Sequence, residues 1–392
     1  MDPFLTGDQR EARDLARRFA DEVVAPRAAA IDRDDDYPWD VYAAMADIGL
    51  LGLNVAPEFG GTGADELTMA LVMEEVSRAS ASVSNALLLA KLQSELISLL
   101  GTSEQKAAYL PDLVSGKTIW LIAATEPQAG SDVAAIRTKA RLGDDAWEIT
   151  GTKAFMTSGA VGQHAVVLAR TSDEPGHGSF TTFLVPRSPD GDPTKGFIVG
   201  HKDELMGMRG IGTAGIILDG TRVPADAVLG TVGEGFRHCM RSFSNGRIVI
   251  AGLALGIAVS ALEESISYAA ERRAFGREIG TFQAVQQMIA DIALDVHAAR
   301  LAVHHAARLK DLGRPFSQEA SMAKLLASDV AVRSAANAVQ IHGGYGYTKE
   351  STVERLYRDA KLTQIYEGTN QIQRVIISRG LLRTSGSMAD VN

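Results

Sequence analysis

Hydrophobic spacing changes period twice along this 392-residue chain, and that division limits the folds open to it more than any single residue does. Within residues 8–31, Ala12, Leu15, Ala16, Phe19, Val23 and Val24 recur at helical spacing with Arg and Asp on the other face. Helical texture resumes over 39–48, breaks at a Gly-rich loop over 57–63, continues through 66–80 and 84–100, and closes with a helix over 103–114. The next hundred residues carry short β-branched and aromatic runs instead, at 147–150, 165–169, 181–185, 197–199 and 215–218. Turn residues separate them: Gly143-Asp144-Asp145, Pro189-Asp190-Gly191-Asp192-Pro193 and Asp219-Gly220. After Gly233-Glu234-Gly235-Phe236, long helices return over 247–271, 282–312 and 318–341, with shorter ones at 351–359 and 370–382. Short loops between long helices make a bundle. The expected division is an all-α domain over 1–120, a β-domain over 121–234, a helical bundle over 235–383 and a frayed tail over 384–392.

Composition removes whole classes of function. A formal charge of −9 leaves no basic face to displace counterions from phosphates, so nucleic acid is not an expected partner. No apolar run approaches membrane-spanning length, and Met1-Asp2-Pro3-Phe4 is not a basic segment followed by an apolar one; cytoplasmic residence without membrane insertion is the expectation. The single cysteine, Cys239, excludes an internal disulfide and a thiol-rich metal site and reads as a buried structural thiol. Gly116-Lys117-Thr118 resembles the end of a phosphate loop, but Pro111 stands where that loop needs Gly. No G-x-G-x-x-G lies between a strand and a helix, His297, His304 and His305 share a helix without a convincing set of metal-ligand partners in the sequence and read as helix-surface histidines, and neither Ser131-Asp132 nor Ser158-Gly159 has a histidine at a workable spacing. No metal site is expected.

One acidic residue stands out by its setting. In Ile365-Tyr366-Glu367-Gly368-Thr369-Asn370-Gln371-Ile372-Gln373-Arg374, a carboxylate precedes a Gly-Thr turn, and the apolar period of a helix begins at once. Asn370 followed by Gln373 reads as a helix cap with a capping-box partner, which would fix the direction of Glu367. Taken alone, the stretch also suits a solvated acid that complements the helix dipole.

Five strings change that balance. Thr125-Glu126-Pro127-Gln128-Ala129-Gly130-Ser131-Asp132 resembles the signature of the acyl-CoA dehydrogenase flavoprotein family. Gly151-Thr152-Lys153-Ala154-Phe155-Met156-Thr157-Ser158-Gly159, Glu271-Arg272-Arg273-Ala274-Phe275-Gly276-Arg277, Gln340-Ile341-His342-Gly343-Gly344-Tyr345-Gly346 and the Tyr366-Glu367-Gly368-Thr369 block follow in family order. The resemblance spans nearly the whole chain. It implies an α+β multidomain fold with an N-terminal helical domain, a middle β-barrel and a C-terminal four-helix bundle, binding FAD between barrel and bundle and assembling as a tetramer.

By position, Ile122, Ala124 and Thr125 would meet the flavin ring, with Phe155 on one face and Thr157 near the reactive edge. Ser131 would sit where phosphate and substrate contacts meet, with Gly130 beside it on the cofactor. Arg272, Phe275 and Gln283 match residues reaching the FAD of a neighbouring subunit, Gln340, Gly343 and Gly344 a loop that admits the pyrophosphate, and Thr369 and Gln371 the last flavin contacts. Ser244, Arg247 and Gly368 would hold the acyl-CoA.

The implied reaction oxidises an acyl-CoA thioester to the trans-2-enoyl form. Glu367 matches the base that takes the α-proton while hydride leaves the β-carbon for flavin N5, and an electron-transfer flavoprotein is the implied acceptor. Some relatives place a base directly before the matching arginine; here that residue is Gly246. Ser244 stands where the family often has Asp, and it leans toward an alternative: the same fold acting on a carrier-protein-bound acyl group, or as a flavin-dependent oxygenase in biosynthesis. Lys91, on a helix lining the acyl pocket in relatives, is expected to snorkel outward or else to meet a polar acyl terminus.

Overall fold

The computed structural model describes residues 4–187 and 196–384; the expected turn at 189–193 and all of the tail but Thr384 lie outside them. The N-terminal helices begin where capping chemistry allows. Thr6 accepts the Gln9 N–H and Gln9 returns the bond to the Thr6 N–H, opening α1 (Gly7–Phe19). A π-turn at Ala20–Val24 joins it to α2 (Ala25–Asp34), so the single expected helix is interrupted once before Asp35, at φ 56, ends it. Then come α3 (Trp39–Asp47), α4 (Glu66–Ala79), α5 (Ala81–Leu100) and α6 (Ser103–Val114), the last with its own Thr102 and Gln105 capping box.

Among the described residues seven strands make one curled sheet: β1 (Trp120–Ala123), β2 (Lys139–Leu142), β3 (Ala146–Met156), β4 (His164–Arg170), β5 (Phe180–Pro186), β6 (Phe197–Lys202) and β7 (Ala214–Pro224). Their order is β1-β4-β2-β3-β7-β6, with β5 added on β4. Inward positions form the domain's core: Leu121, Ile149, Val167, Phe183, Ile216 and Leu218 are all buried. Two strands exceed the sequence expectation outright. β1 and β2 are four residues each, and β1 pairs parallel to β4 over Trp120 to Ala123, a long-range pairing that no local turn signals.

The C-terminal part is α7 (Gly235–Glu271), a small hairpin of β8 (Arg273–Ala274) and β9 (Arg277–Glu278), then α8 (Gln283–Asp311), α9 (Ser317–His342), α10 (Thr352–Thr363) and α11 (Asn370–Thr384). α7 starts twelve residues before the expected 247, because its amphipathic first turns pack on the sheet while residues 246–258 are buried all round. It crosses α4 closely: a Cβ on Gly256 would lie 2.3 Å from the Glu74 carbonyl oxygen, so only glycine fits there.

Two sequence expectations need correction. α5 and α7 are long and apolar enough to cross a membrane by length and composition; they are core helices, with 78% and 83% of their most apolar windows buried in protein. Lys91 does not snorkel outward, nor does it face an acyl terminus. It is 1% exposed, and its Nζ lies 3.1 Å from Glu66 Oε1 and 2.8 Å from Glu95 Oε2. Lys310 of α8 closes the square at 2.6 Å from each of those carboxylates. Burial works against the Lys91 charge, but the two carboxylates outweigh it and hold its pKa above the usual value.

Candidate active site

The sheet presents its expected flavin residues through one buried ion pair. Lys153 of β3 is fully buried, and its Nζ donates to the Ala124 carbonyl at 3.1 Å, the Leu168 carbonyl at 2.8 Å and Glu126 Oε1 at 2.9 Å. Glu126 accepts further bonds from the Arg137 N–H, and from the Thr138 N–H and hydroxyl. Burial alone would raise the Glu126 pKa; Lys153 and these donors overcome it and hold it down to about 2. The loop after β1 is therefore pinned to β3, and the Thr125 carbonyl accepts the Ala154 N–H at 3.0 Å. Neither Glu126 nor Lys153 was singled out from the sequence, although both lie inside the quoted strings.

Strain marks where β3 leaves the sheet. Its register shifts between Lys153 and Met156, and Phe155 sits at φ 60 with 68% of its surface exposed. A bulky residue in the left-handed region costs about 1–3 kcal/mol and persists where its surroundings impose it. Thr157 beside it is half-buried, Gly130 and Ser131 are exposed on the loop beyond Thr125, and a Cβ on Gly130 would meet nothing within 4 Å. Ile122 and Ala124 turn toward α7 and line an apolar gap with Leu168, Cys239, Ser242 and Phe243. Cys239 is buried as expected, and burial, with the field of Glu367, pushes its thiol up to about 12.

Glu367 approaches α7 beside Gly246, one to two turns beyond Cys239 and Phe243. It adopts φ 50, followed by Gly368 at φ 89. The residue as a whole is half-buried, but its Oε2 is shut off from solvent and has no hydrogen-bond partner among the described residues. Gly246 leaves the space for it: a Cβ there would stand 3.2 Å from that oxygen and 3.2 Å from Leu92 Cδ2. Burial raises the Glu367 pKa to about 7 against the opposing pull of Arg247 and Lys324. Arg247 is buried too; its guanidinium reaches Ser244 Oγ at 3.3 Å and Ser321 Oγ at 3.4 Å, and its Nε has no partner among the described residues.

The expected cap at Asn370 also needs correction. Thr369 Oγ1 accepts the Ile372 N–H at 3.3 Å and caps α11 instead. Asn370 is buried, with its amide turned into α9, where it donates to Ser328 Oγ and Asp329 Oδ1 at 2.9 and 2.8 Å. Gln373 does reach back, but as a donor to the Gly368 carbonyl at 2.8 Å, not as an acceptor for the cap N–H. Lys324 of α9, unnoticed in the sequence, donates to that carbonyl and to Asn370 Oδ1, both at 2.9 Å.

Arg272, Phe275, Gly343 and Gly344 lie elsewhere, around the β8–β9 hairpin and the glycine loop after α9. Phe275 and Gly276 are the two turn residues of the β8–β9 hairpin, at φ 51 and 81, the backbone of a type I′ turn. Phe275 is 95% exposed. Arg272, its guanidinium 5.3 Å from the Tyr345 ring centroid, lines a cleft of about 440 Å³ with Tyr268, His342, Gly343, Gly344 and Tyr345. Gln283, Gln340 and Gln371 are exposed at the ends of α8, α9 and α11.

A helical, sheet and helical chain with an unpaired carboxylate buried beside an apolar wall is suited to moving protons at carbon. The comparisons give that class its family. Residues 6–117, 122–221 and 233–382 match the N-terminal, middle and C-terminal domains of acyl-CoA dehydrogenase. Acyl-CoA dehydrogenase of Bacillus subtilis (strain 168) is 41% identical over 379 residues, covering 96% of this chain and 99% of that protein. The human mitochondrial short-chain specific acyl-CoA dehydrogenase is 41% identical over 374 residues, covering 94% of this chain and 88% of that one. Butyryl-CoA dehydrogenase from Megasphaera elsdenii superposes with a TM-score of 0.93 at 36% identity, covering 98% and 100% of the two chains. The chain belongs to the acyl-CoA dehydrogenase family and is an FAD-dependent oxidoreductase.

These surfaces fit FAD. Phe155 offers an open aromatic face beside the Thr125 loop, and an added Cβ on Gly343 or Gly344 would meet nothing within 4 Å, so backbone there can be approached closely.

Proposed function

We propose that the enzyme oxidises an acyl-CoA to its trans-2-enoyl thioester with Glu367 as the α-proton base. The Oε2 of Glu367 carries the reading: a carboxylate oxygen out of solvent, without a partner, at the end of a strained turn. Burial brings its pKa to about 7, which matches its basicity to proton abstraction near neutral pH. Leu92 and Gly246 wall the space around it and exclude water from the acyl chain. Arg247, buried without a carboxylate partner, would attract the developing negative charge of the thioester. FAD, when bound, supplies the hydride acceptor at N5.

In this reading Ile122, Ala124, Thr125, Phe155 and Thr157 hold the flavin ring, Gly130 and Ser131 the phosphates, and Thr369 and Gln371 the far edge. Ser244 and Gly368 join Arg247 in holding the thioester. Arg272, Phe275 and Gln283 serve the FAD of a second copy, Gln340, Gly343 and Gly344 admit the pyrophosphate, and a tetramer is the proposed assembly. The 95% exposure of Phe275 supports this, since an aromatic held out in a strained turn gains most from a partner surface. An electron-transfer flavoprotein is the proposed acceptor. The cytoplasm is the proposed compartment, where the lone Cys239 stays reduced.

Anaerobic mixing with a panel of acyl-CoAs tests the assignment. Short-chain and butyryl-CoA substrates come first, since those words name two of the relatives. Wild-type flavin should bleach with at least one of them, and Glu367→Gln should keep its FAD and not bleach. Undiminished bleaching by that variant would remove Glu367 from the reaction.

A further inference from the structure

Lys324 has no part in the chemistry just described, yet it is fully buried in the first half of α9. An ammonium leaves water only where protein acceptors replace its hydration. Both of its acceptors lie on the turn that carries Glu367: the Gly368 carbonyl and Asn370 Oδ1, each at 2.9 Å. The second acceptor is fixed in its turn by Ser328 and Asp329. Gln373 Nε2 adds donors to the Gly368 carbonyl at 2.8 Å and the Glu367 carbonyl at 3.4 Å. Tethers from α9 and α11 thus converge on a backbone segment held at positive φ, which would relax without them.

The charges around the base are few. Arg247 from α7 and Lys324 from α9 face Glu367 as cations, while Tyr366 and Cys239 feel its negative field. Asp329 on α9 also faces Lys324, but it is engaged by Gln364 at 2.7 Å and by Arg374 of α11 at 3.2 Å. Of the two cations, Lys324 is the one bonded to the turn itself.

We propose that Lys324 is a positioning residue for the base: its ammonium clamps the turn from Gly368 to Asn370, and its charge keeps the Glu367 carboxylate ionised and ready to accept a proton. This rests on the reading of Glu367 as the base. Burial lowers the Lys324 pKa to about 7, while Glu367 opposes that shift, so the two groups bear on each other in the range where the enzyme would work.

The test measures the rate of flavin reduction by butyryl-CoA, or by whichever thioester bleaches the wild type, in the FAD-loaded protein as a function of pH. Lys324→Met keeps the length of the stem and removes the charge. Its acid limb should move up by about one pH unit, which below the limb is about a tenfold slower reduction. Lys324→Arg should bring the limb back. Asn370→Asp leaves Lys324 in place but adds an anion beside it, so its limb should also move up; this variant decides the matter if Lys324→Met fails to fold or to keep FAD. A purely structural lysine would change stability and FAD content without moving the limb. Limbs at the wild-type position in FAD-loaded Lys324→Met, or in Asn370→Asp, overturn the proposal. Glu367→Gln separates the two readings: if it still bleaches, the base assignment falls and this inference with it. If it is inert while the limbs stay put, only the role of Lys324 falls.

Discussion

Glu367, Phe155 and Phe275 are all held at positive φ without being glycine, and all three lie at expected catalytic or cofactor positions. Such strain follows function more often than chance turns do. The motif strings brought these residues out of the sequence, but side-chain direction was not legible. Asn370 was read as a cap from local spacing, whereas its true partners, Ser328 and Asp329, come from another helix. The buried lysines share that blindness: Lys91, Lys153 and Lys324 look like surface residues until folding brings Glu66, Glu126 and the Gly368 carbonyl to them. Gly246 makes the sharpest prediction at this scale. Alanine there must displace Glu367 Oε2 or Leu92 by a few tenths of an ångström, so Gly246→Ala should slow flavin reduction in rapid mixing while leaving FAD content unchanged.

At the scale of elements, the pair of Lys153 and Glu126 binds the loop after β1 to β3 and β4. Breaking a buried pair strands the surviving charge, so Lys153→Met should cost about 3–5 kcal/mol in denaturant unfolding and weaken FAD retention. The pH dependence has a definite sign. Glu126 has a folded pKa of about 2 against 4.5 without the fold. It therefore contributes stability that is fully present above the unfolded value and is lost as pH falls through the folded one. Acid unfolding of Glu126→Gln should show a shallower loss across that window than the wild type. The helical elements were readable because their apolar period runs for many turns. β1 and β2 were not, since four-residue strands draw their pairing from β3 and β4, distant in sequence. The first turns of α7 were missed for a related reason: packing on the sheet, not their own mixed pattern, makes them helical.

The whole molecule was the most legible level, because the alternation of helix, strand and helix blocks survives in the hydrophobic period alone. What the period cannot show is a surface meant for another copy. Phe275, Tyr345 and Tyr347 stand 95%, 64% and 85% exposed around the β8–β9 hairpin and the glycine loop. If that surface serves a partner's cofactor, Phe275→Ser should lower both the mass in light scattering and the bound FAD, while circular dichroism keeps its helical signal. The central claim is chemical, and it can be isolated from hydride transfer. An acyl-CoA with sulfur in place of its β-carbon can lose an α-proton but has no β-hydride to give. Incubated in deuterated water with the FAD-loaded enzyme, it should gain deuterium at the α-carbon, measured by mass, and gain essentially none with Glu367→Gln. Exchange at the wild-type rate in that variant would show that another group takes the proton.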